Sequence, residues 1–289
     1  MVVIGWETVR GDEGSGQIQV SAGEWDRREV VVSFPMPKIQ SEARYLLDEK
    51  GAAIPLQIDE RQQGSFVLQT LKAGESGTFK FGTASTDLSG HGLIEFVRAG
   101  KKLQAAQDGA RILDYQAEPG SLPRPDVDAL FTRGGCLHPI LSPSGKSVSD
   151  DFPRDHIHHH GIWFPWTKTE FEGRKPDFWN MGTGTGKVEF ESVSSMWSGP
   201  VHGGFVAQHR FIDLTAPKPK VALKETWSVA VYNVGRGSSQ YRMFDLVSVQ
   251  KCASSSPLIL PQYRYGGLGF RGNQSWDGAE NTFFLTSED

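Results

Sequence analysis

Val221–Tyr232 reads VALKETWSVAVY, and its residues alternate in character. Leu223, Glu225 and Trp227 fall on one face and Lys224, Thr226 and Ser228 on the other, the period of a strand with one side buried. The same signal recurs about every ten residues on either side, as in all-β chains. It marks Glu29–Phe34 (EVVVSF), Ala43–Leu47 (ARYLL), Ile54–Asp59 (IPLQID), Ser65–Leu71 (SFVLQTL), Thr78–Phe81 (TFKF) and Leu93–Arg98 (LIEFVR). It continues in Lys187–Glu191 (KVEFE), Phe205–Leu214 (FVAQHRFIDL) and Tyr241–Val249 (YRMFDLVSV). Asp48-Glu49-Lys50-Gly51 stands between two of these runs, where a hairpin turn belongs. No segment carries an amphipathic helix of three turns. Short strands punctuated by turns predict an all-β fold, a large antiparallel β-sandwich rather than α/β.

Residues 1–100 read as a smaller N-terminal β-sandwich lobe. Residues 101–289 read as the main β-sandwich, with most of the tryptophans and seven of the eight histidines. Ala99-Gly100-Lys101-Lys102 between them looks like an ordinary turn, and no internal repeat is evident.

The 289 residues are 38% hydrophobic and 22% charged, neither a disordered nor a membrane composition. A net charge of −4 and the lack of any Lys/Arg run argue against a nucleic-acid partner. No apolar stretch approaches the about 20 residues of a membrane span. The opening MVVIGWETVR lacks the regions of a signal peptide, so a soluble chain is expected, cytoplasmic or, as a mature form, periplasmic or secreted. Cys136 and Cys252 lack CxxC spacing and read as buried free thiols. Eight tryptophans exceed the needs of a core this size, and exposed indoles stack on sugar rings.

Three familiar motifs fail. Ser142–Ser147 (SPSGKS) ends like a phosphate loop but has Ile140 where the leading glycine belongs. Gly182–Lys187 (GTGTGK) has Lys in place of the last glycine of a dinucleotide fingerprint, and GxSxG is absent. No nucleotide cofactor is expected.

The chemistry concentrates in Asp155–Gly161, DHIHHHG. Read as extended, the segment projects His156, His158 and His160 from one face about 7 Å apart, with His159 opposite. His156 and His158, with His160, could then share a divalent metal, completed by His138, Asp177, His202, His209 or Glu225. Without metal, the imidazoles could accept and return a proton while Asp155 or Arg154 sets the tautomer and polarises a substrate oxygen. A hydrogen-bonded structural cluster is the third reading. Trp163, Trp166, Phe178 and Trp179 follow closely; Trp163 and Trp179 are candidates to face a sugar, although large aromatics more often fill β cores. Asp177, after Pro176, stands at the rim of the same pocket or in a turn.

These residues resemble a bacterial family labelled methane oxygenase PmoA-like, whose hallmark is an HP turn, DHxHHRG, a DFW stretch and GGLGxR. The matching pieces are Leu137-His138-Pro139-Ile140, Ser144-Gly145, Asp155–Gly161, Asp177-Phe178-Trp179 and Tyr265–Arg271, and the resemblance covers about 131–275. It implies a soluble β-sandwich of the galactose-mutarotase-like kind associated with carbohydrate breakdown. His160 stands where the family has Arg, and Ile157 where it has Pro. The resemblance also implies strands beyond Ser287-Glu288-Asp289, hence a truncated form with an open sheet edge.

Two further candidates complete the set. Arg271 follows Gly266-Gly267-Leu268-Gly269, where backbone can approach a ligand and a guanidinium can bind carboxylate or vicinal hydroxyls. Glu225 lies on a partly apolar strand face, where burial would raise its pKa and suit a general base. The functions in view are a carbohydrate-active epimerase, lyase or hydrolase, with Arg154 and Arg271 as electrostatic stabilisers, a metal-dependent hydrolase or oxygenase, and a non-catalytic sugar-binding module. All imply a small-molecule or oligosaccharide ligand.

Overall fold

The computed structural model describes residues 9–11, 16–40, 42–84, 86–236, 240–278 and 280. The expectations placed on the opening residues 1–8 and on Ser287–Asp289 lie outside the described residues. Twenty strands and a few single 3₁₀ turns make up the described elements, so the fold is all-β.

The N-terminal part holds β1 Val9–Gly11, β2 Gln17–Ser21, β3 Arg27–Pro35, β4 Tyr45–Leu47, β5 Ala53–Pro55, β6 Gln57–Ile58, β7 Gln63–Leu71 and β8 Ser76–Gly82. They form a five-stranded sheet, β1-β2-β8-β4-β5, and a three-stranded sheet, β3-β7-β6. Ile18, Val20, Val32, Phe34, Leu46, Phe66 and Phe79 fill the space between them. Ile54–Asp59, expected as one strand, is two, because buried Leu56 interrupts the pairing and β5 and β6 join different sheets.

The main sandwich follows with β9 Ile94–Ala99, β10 Lys102–Gln107, β11 Ala110–Gln116, β12 Cys136–Ile140, β13 Ile162–Trp163, β14 Glu170–Phe171, β15 Gly186–Trp197, β16 His202–Asp213, β17 Lys220–Tyr232, β18 Phe244–Cys252, β19 Leu258–Ile259 and β20 Gly269–Phe270. A six-stranded sheet, β20-β13-β12-β11-β10-β9, faces the long sheet β15-β16-β17-β18. All described strand pairs are antiparallel, as in hairpin-built sandwiches. The alternation read in Val221–Tyr232 is realised: Leu223, Glu225, Trp227, Val229 and Val231 are buried, and Thr226 and Ser228 face outward. Phe96, Leu103, Leu113, Tyr115 and Leu137 pack on Phe205, Ala207, Trp227 and Val229 across the layers.

The boundary expected at residue 100 falls in the turn between β9 and β10. These two strands pair from Ile94–Gln107 to Ala99–Lys102, so β9 belongs to the larger sheet. Val31 and Val67 of the first lobe pack on Val201 and Val234 of the second. Gln57 ties the seam: its Nε2 donates to the His202 carbonyl at 2.9 Å, and its Oε1 accepts from the Val201 and His202 amides at 3.1 Å. Cys136 is buried as expected, but Cys252 is exposed at the end of β18, which among the described residues has a neighbour on one side only.

Candidate functional site

The six-stranded sheet positions the histidine segment. After β12 the chain makes a long excursion and returns to β12 through β13, where Ile162 pairs with Leu137. Asp151 bridges to His160, the Phe152 amide donates to the His159 carbonyl at 3.1 Å, and the Gly161 amide donates to the Asp150 carbonyl at 2.7 Å. Inside that closed loop the His159 amide donates to the His156 carbonyl at 2.8 Å. The segment is therefore a tight turn, and the extended strand expected there does not form. Gly161 ends it at φ +39°, against the Leu137 carbonyl, where a Cβ would overlap that oxygen.

The turn reverses the expected facing. His156, His158 and His159 converge, with ring centroids 4.7 Å apart for His156–His159 and His158–His159 and 6.0 Å for His156–His158. His160 points the other way, into the protein, and is 1% exposed. Its Nδ1–H donates to Asp151 at 2.6 Å, Phe152 packs edge-on against its ring, and its buried Nε2 has no partner.

The three converging imidazoles form one wall of a cavity of about 370 Å³. Trp163 of β13, Gly269 and Phe270 of β20, Thr167, Trp179, Asn180, Tyr263 and Tyr265 complete it. His159 lies 5.2 Å from Trp163 and 5.8 Å from Trp179 between ring centroids, and Trp179 lies 5.6 Å from Tyr265. β13 and β20 pair through Ile162–Phe270 and Trp163–Gly269. Gly269 lies against the Trp163 indole, where an added Cβ would come within 3.0–3.1 Å of the ring and the indole would have to give by a few tenths of an ångström.

The segment's own carboxylate orients the first imidazole. His156 Nδ1–H donates to Asp155 Oδ2 at 2.7 Å, which leaves Nε2 of the neutral ring as an acceptor. Arg271 Nη2 donates to Asp155 Oδ1 at 3.2 Å and to Asp277 at 2.8 Å. The hydrogen bond from His156, and then the Arg271 charge, hold the Asp155 carboxyl below its usual range. Burial, reinforced by His158, His156 and Arg271, pushes His159 down to about 3. Burial also lowers His158, with His156 and His160 adding to it and Asp177 opposing. Near neutral pH, His158 and His159 are thus uncharged imidazoles, and His159, which binds a proton only near pH 3, is the weaker base of the two.

The chain belongs to a family of unknown function, DUF6807, whose family model matches residues 102–289. Every residue that lines the pocket lies inside the DUF6807 match. No curated protein and no solved structure matches the chain.

Of the residues expected from sequence, this DUF6807 chain brings His156, His158, His159, Trp163 and Trp179 to the pocket, with Asp155 and Arg271 immediately behind His156. Five others are placed elsewhere: His160, already described, and His138, Arg154, Asp177 and Glu225. His138 Nδ1 pairs with Ser149 Oγ at 3.0 Å on the His160 side of the turn. Arg154 is exposed and does not line the cavity. Asp177 is a turn residue: it accepts from the Trp179 and Asn180 amides, from Thr167 Oγ1 at 3.0 Å and from Asn180 Nδ2 at 3.0 Å, so it holds pocket residues in place.

Glu225 requires a correction. It is buried between the two sheets, opposite His209 in the β16–β17 register, and takes His209 Nδ1–H at 2.9 Å. Tyr115 O–H donates to His209 Nε2 at 2.6 Å, and burial keeps that phenol protonated. Burial pushes the Glu225 carboxyl up, but the hydrogen bonds from His209, Ser248 and Gln250 outweigh it and the net direction is down, opposite to the expectation. It is the anchor of a cross-core hydrogen-bond chain, outside the pocket.

The metal expectation is also corrected in its geometry. His160 does not share a face with His156 and His158, and neither His138, Asp177, His202, His209 nor Glu225 lines the pocket with them. Among the described residues no group of three His, Cys, Asp or Glu is placed to hold a metal ion. Sequence reading missed Thr167, Asn180, Tyr263, Tyr265 and Phe270. Tyr263 and Tyr265, spaced i, i+2 just before the glycine run, carried the clearest available signal.

Proposed function

We propose that this DUF6807 chain is a carbohydrate-active protein that performs acid/base chemistry on a saccharide bound in the histidine pocket. The observation that carries the reading is the company His158 and His159 keep: uncharged, beside an Asp155-oriented His156, in an aromatic-walled cavity of about 370 Å³. Trp179, Tyr263, Tyr265 and Phe270 offer flat apolar faces for the C–H face of a sugar, and Thr167 and Asn180 offer hydrogen bonds to hydroxyls. In this reading the uncharged His158 takes a proton from the sugar and, as the imidazolium, gives that proton back, while Nε2 of His156, its tautomer fixed by Asp155, accepts a hydrogen bond from a sugar hydroxyl. Arg271 acts through Asp155 as a positioning residue. The resemblance to the PmoA-like family points the same way. Its main departure falls on His160, which is buried against Asp151 and does not line the pocket.

A second reading, a non-catalytic sugar-binding module, is favoured by the lack of any carboxylate among the described lining residues, since most glycoside hydrolases work with a carboxylate pair. Saccharide turnover and binding measured on His158→Ala and His159→Ala separate the two. Acid/base chemistry requires turnover to fall roughly 100-fold in each variant with the fold intact. Saccharide binding without turnover in the native chain, lost in the variants, favours the module, and no binding of any saccharide by the native chain defeats both.

A further inference from the structure

Two cations stand on tyrosine rings that line the pocket. Lys168, next to the lining residue Thr167, places its Nζ 5.6 Å from the centroid of the Tyr263 ring. Arg264 places its guanidinium carbon 4.8 Å from that of the Tyr265 ring. The two tyrosines are neighbours, 5.9 Å apart, and both line the cavity. Some exposed cations of this chain have a carboxylate within reach, such as Lys72 with Asp26, Arg98 with Glu118 and Arg236 with Asp108. Among the described residues Lys168 and Arg264 have no such ion pair.

Two carboxylates beside the pocket are already committed. Asp155 holds His156 and Arg271, and Asp177 accepts from two backbone amides and two side chains. The lining itself is neutral in its His158 and His159. A ligand lying on Tyr263 and Tyr265 therefore comes near two positive charges that make no ion pair among the described residues.

Resting on the saccharide reading above, we infer that the pocket takes a sugar bearing an anionic substituent, a carboxylate or a sulfate ester, held by Lys168 and Arg264 over the Tyr263 and Tyr265 rings. Stacking on tyrosine pre-positions both cations, so little freedom is lost when the anion docks. The planar Arg264 fork suits a carboxylate, and Lys168 serves as a point charge for either group.

Affinities of the full chain for D-glucuronate and D-galacturonate, against D-glucose and D-galactose, test this, with D-glucose 6-sulfate as the arm that separates sulfate from carboxylate. Two exposed charge contacts should favour at least one anionic form by about tenfold, and the preference should shrink as salt is raised to about 0.5 M. The double variant Lys168→Ala/Arg264→Ala, altered only at exposed positions, should lose the preference while keeping its affinity for the neutral sugars. Equal affinity for anionic and neutral sugars, or a preference that survives the double variant, overturns the inference and leaves the saccharide reading standing. Binding of none of the sugars overturns both.

Discussion

Two Asp–His pairs lie within ten residues of each other and have opposite fates. Asp151–His160 is folded inward, with a ring 1% exposed and a bond of 2.6 Å. Asp155–His156 faces solvent, both side chains about half exposed, with a bond of 2.7 Å. The bonds are nearly the same length; the surroundings differ. The inner pair replaces water for a buried imidazole and closes the loop. The outer pair fixes one ring's tautomer and leaves its other nitrogen open to the cavity. An Asp–His contact is thus read by what the second ring nitrogen can reach, and the tight turn between the pairs decides that.

The largest expected effect breaks the separation itself. Gly161→Ala forces a Cβ onto the Leu137 carbonyl at a left-handed φ and should cost about 3 kcal/mol or more, read by chemical denaturation. Next, Asp151→Ala strands buried His160 and should cost about 2–3 kcal/mol. Asp155→Ala, at an exposed pair, should cost less than about 1 kcal/mol. Equal losses would erase the distinction between an inner structural pair and an outer site pair.

Acidification sharpens the comparison further. Unfolded, an imidazole takes up a proton near its ordinary 6.5, whereas folded His159 does so only at about 3. Between these values the unfolded chain binds more protons, so stability rises with pH there and falls as the solution is acidified from 6.5. Burial lowers His158 and His160 as well and adds in the same direction. A melting temperature that drops from pH 7 to pH 5, and drops less in His159→Phe, is the expected result. The smallest effect belongs to Arg271→Lys: stability nearly unchanged, with a weaker hold on Asp155 that NMR of the His156 ring would register as mixed tautomers.

The strands were legible where alternation was strong, as in β3, β7, β16 and β17. β10 (KLQAAQ) and β11 (ARILDYQ) carry a weaker signal: the Ala and Gln of β10 have little strand preference, and β11 buries Ile112–Tyr115 in succession instead of alternately. The location of the site was legible in DHIHHHG, but its facing was not. Period-two reading presumes extended backbone, and the hydrogen bonds that close the turn come from Asp150 and from within the segment. Glu225 shows the same limit. Its burial beside Leu223 and Trp227 followed from alternation, while the sign of its titration depended on His209, a cross-strand partner that only the register supplies.

Gln57 bears on how portable the main sandwich is. A chain begun at residue 102, where the family match starts, would lack β9 and with it the ladder along β10, and it would leave the Val201 and His202 amides facing nothing in place of the Gln57 carbonyl. The N-terminal lobe therefore works as scaffolding for its neighbour, and grafting the histidine pocket into another protein would have to bring that lobe along.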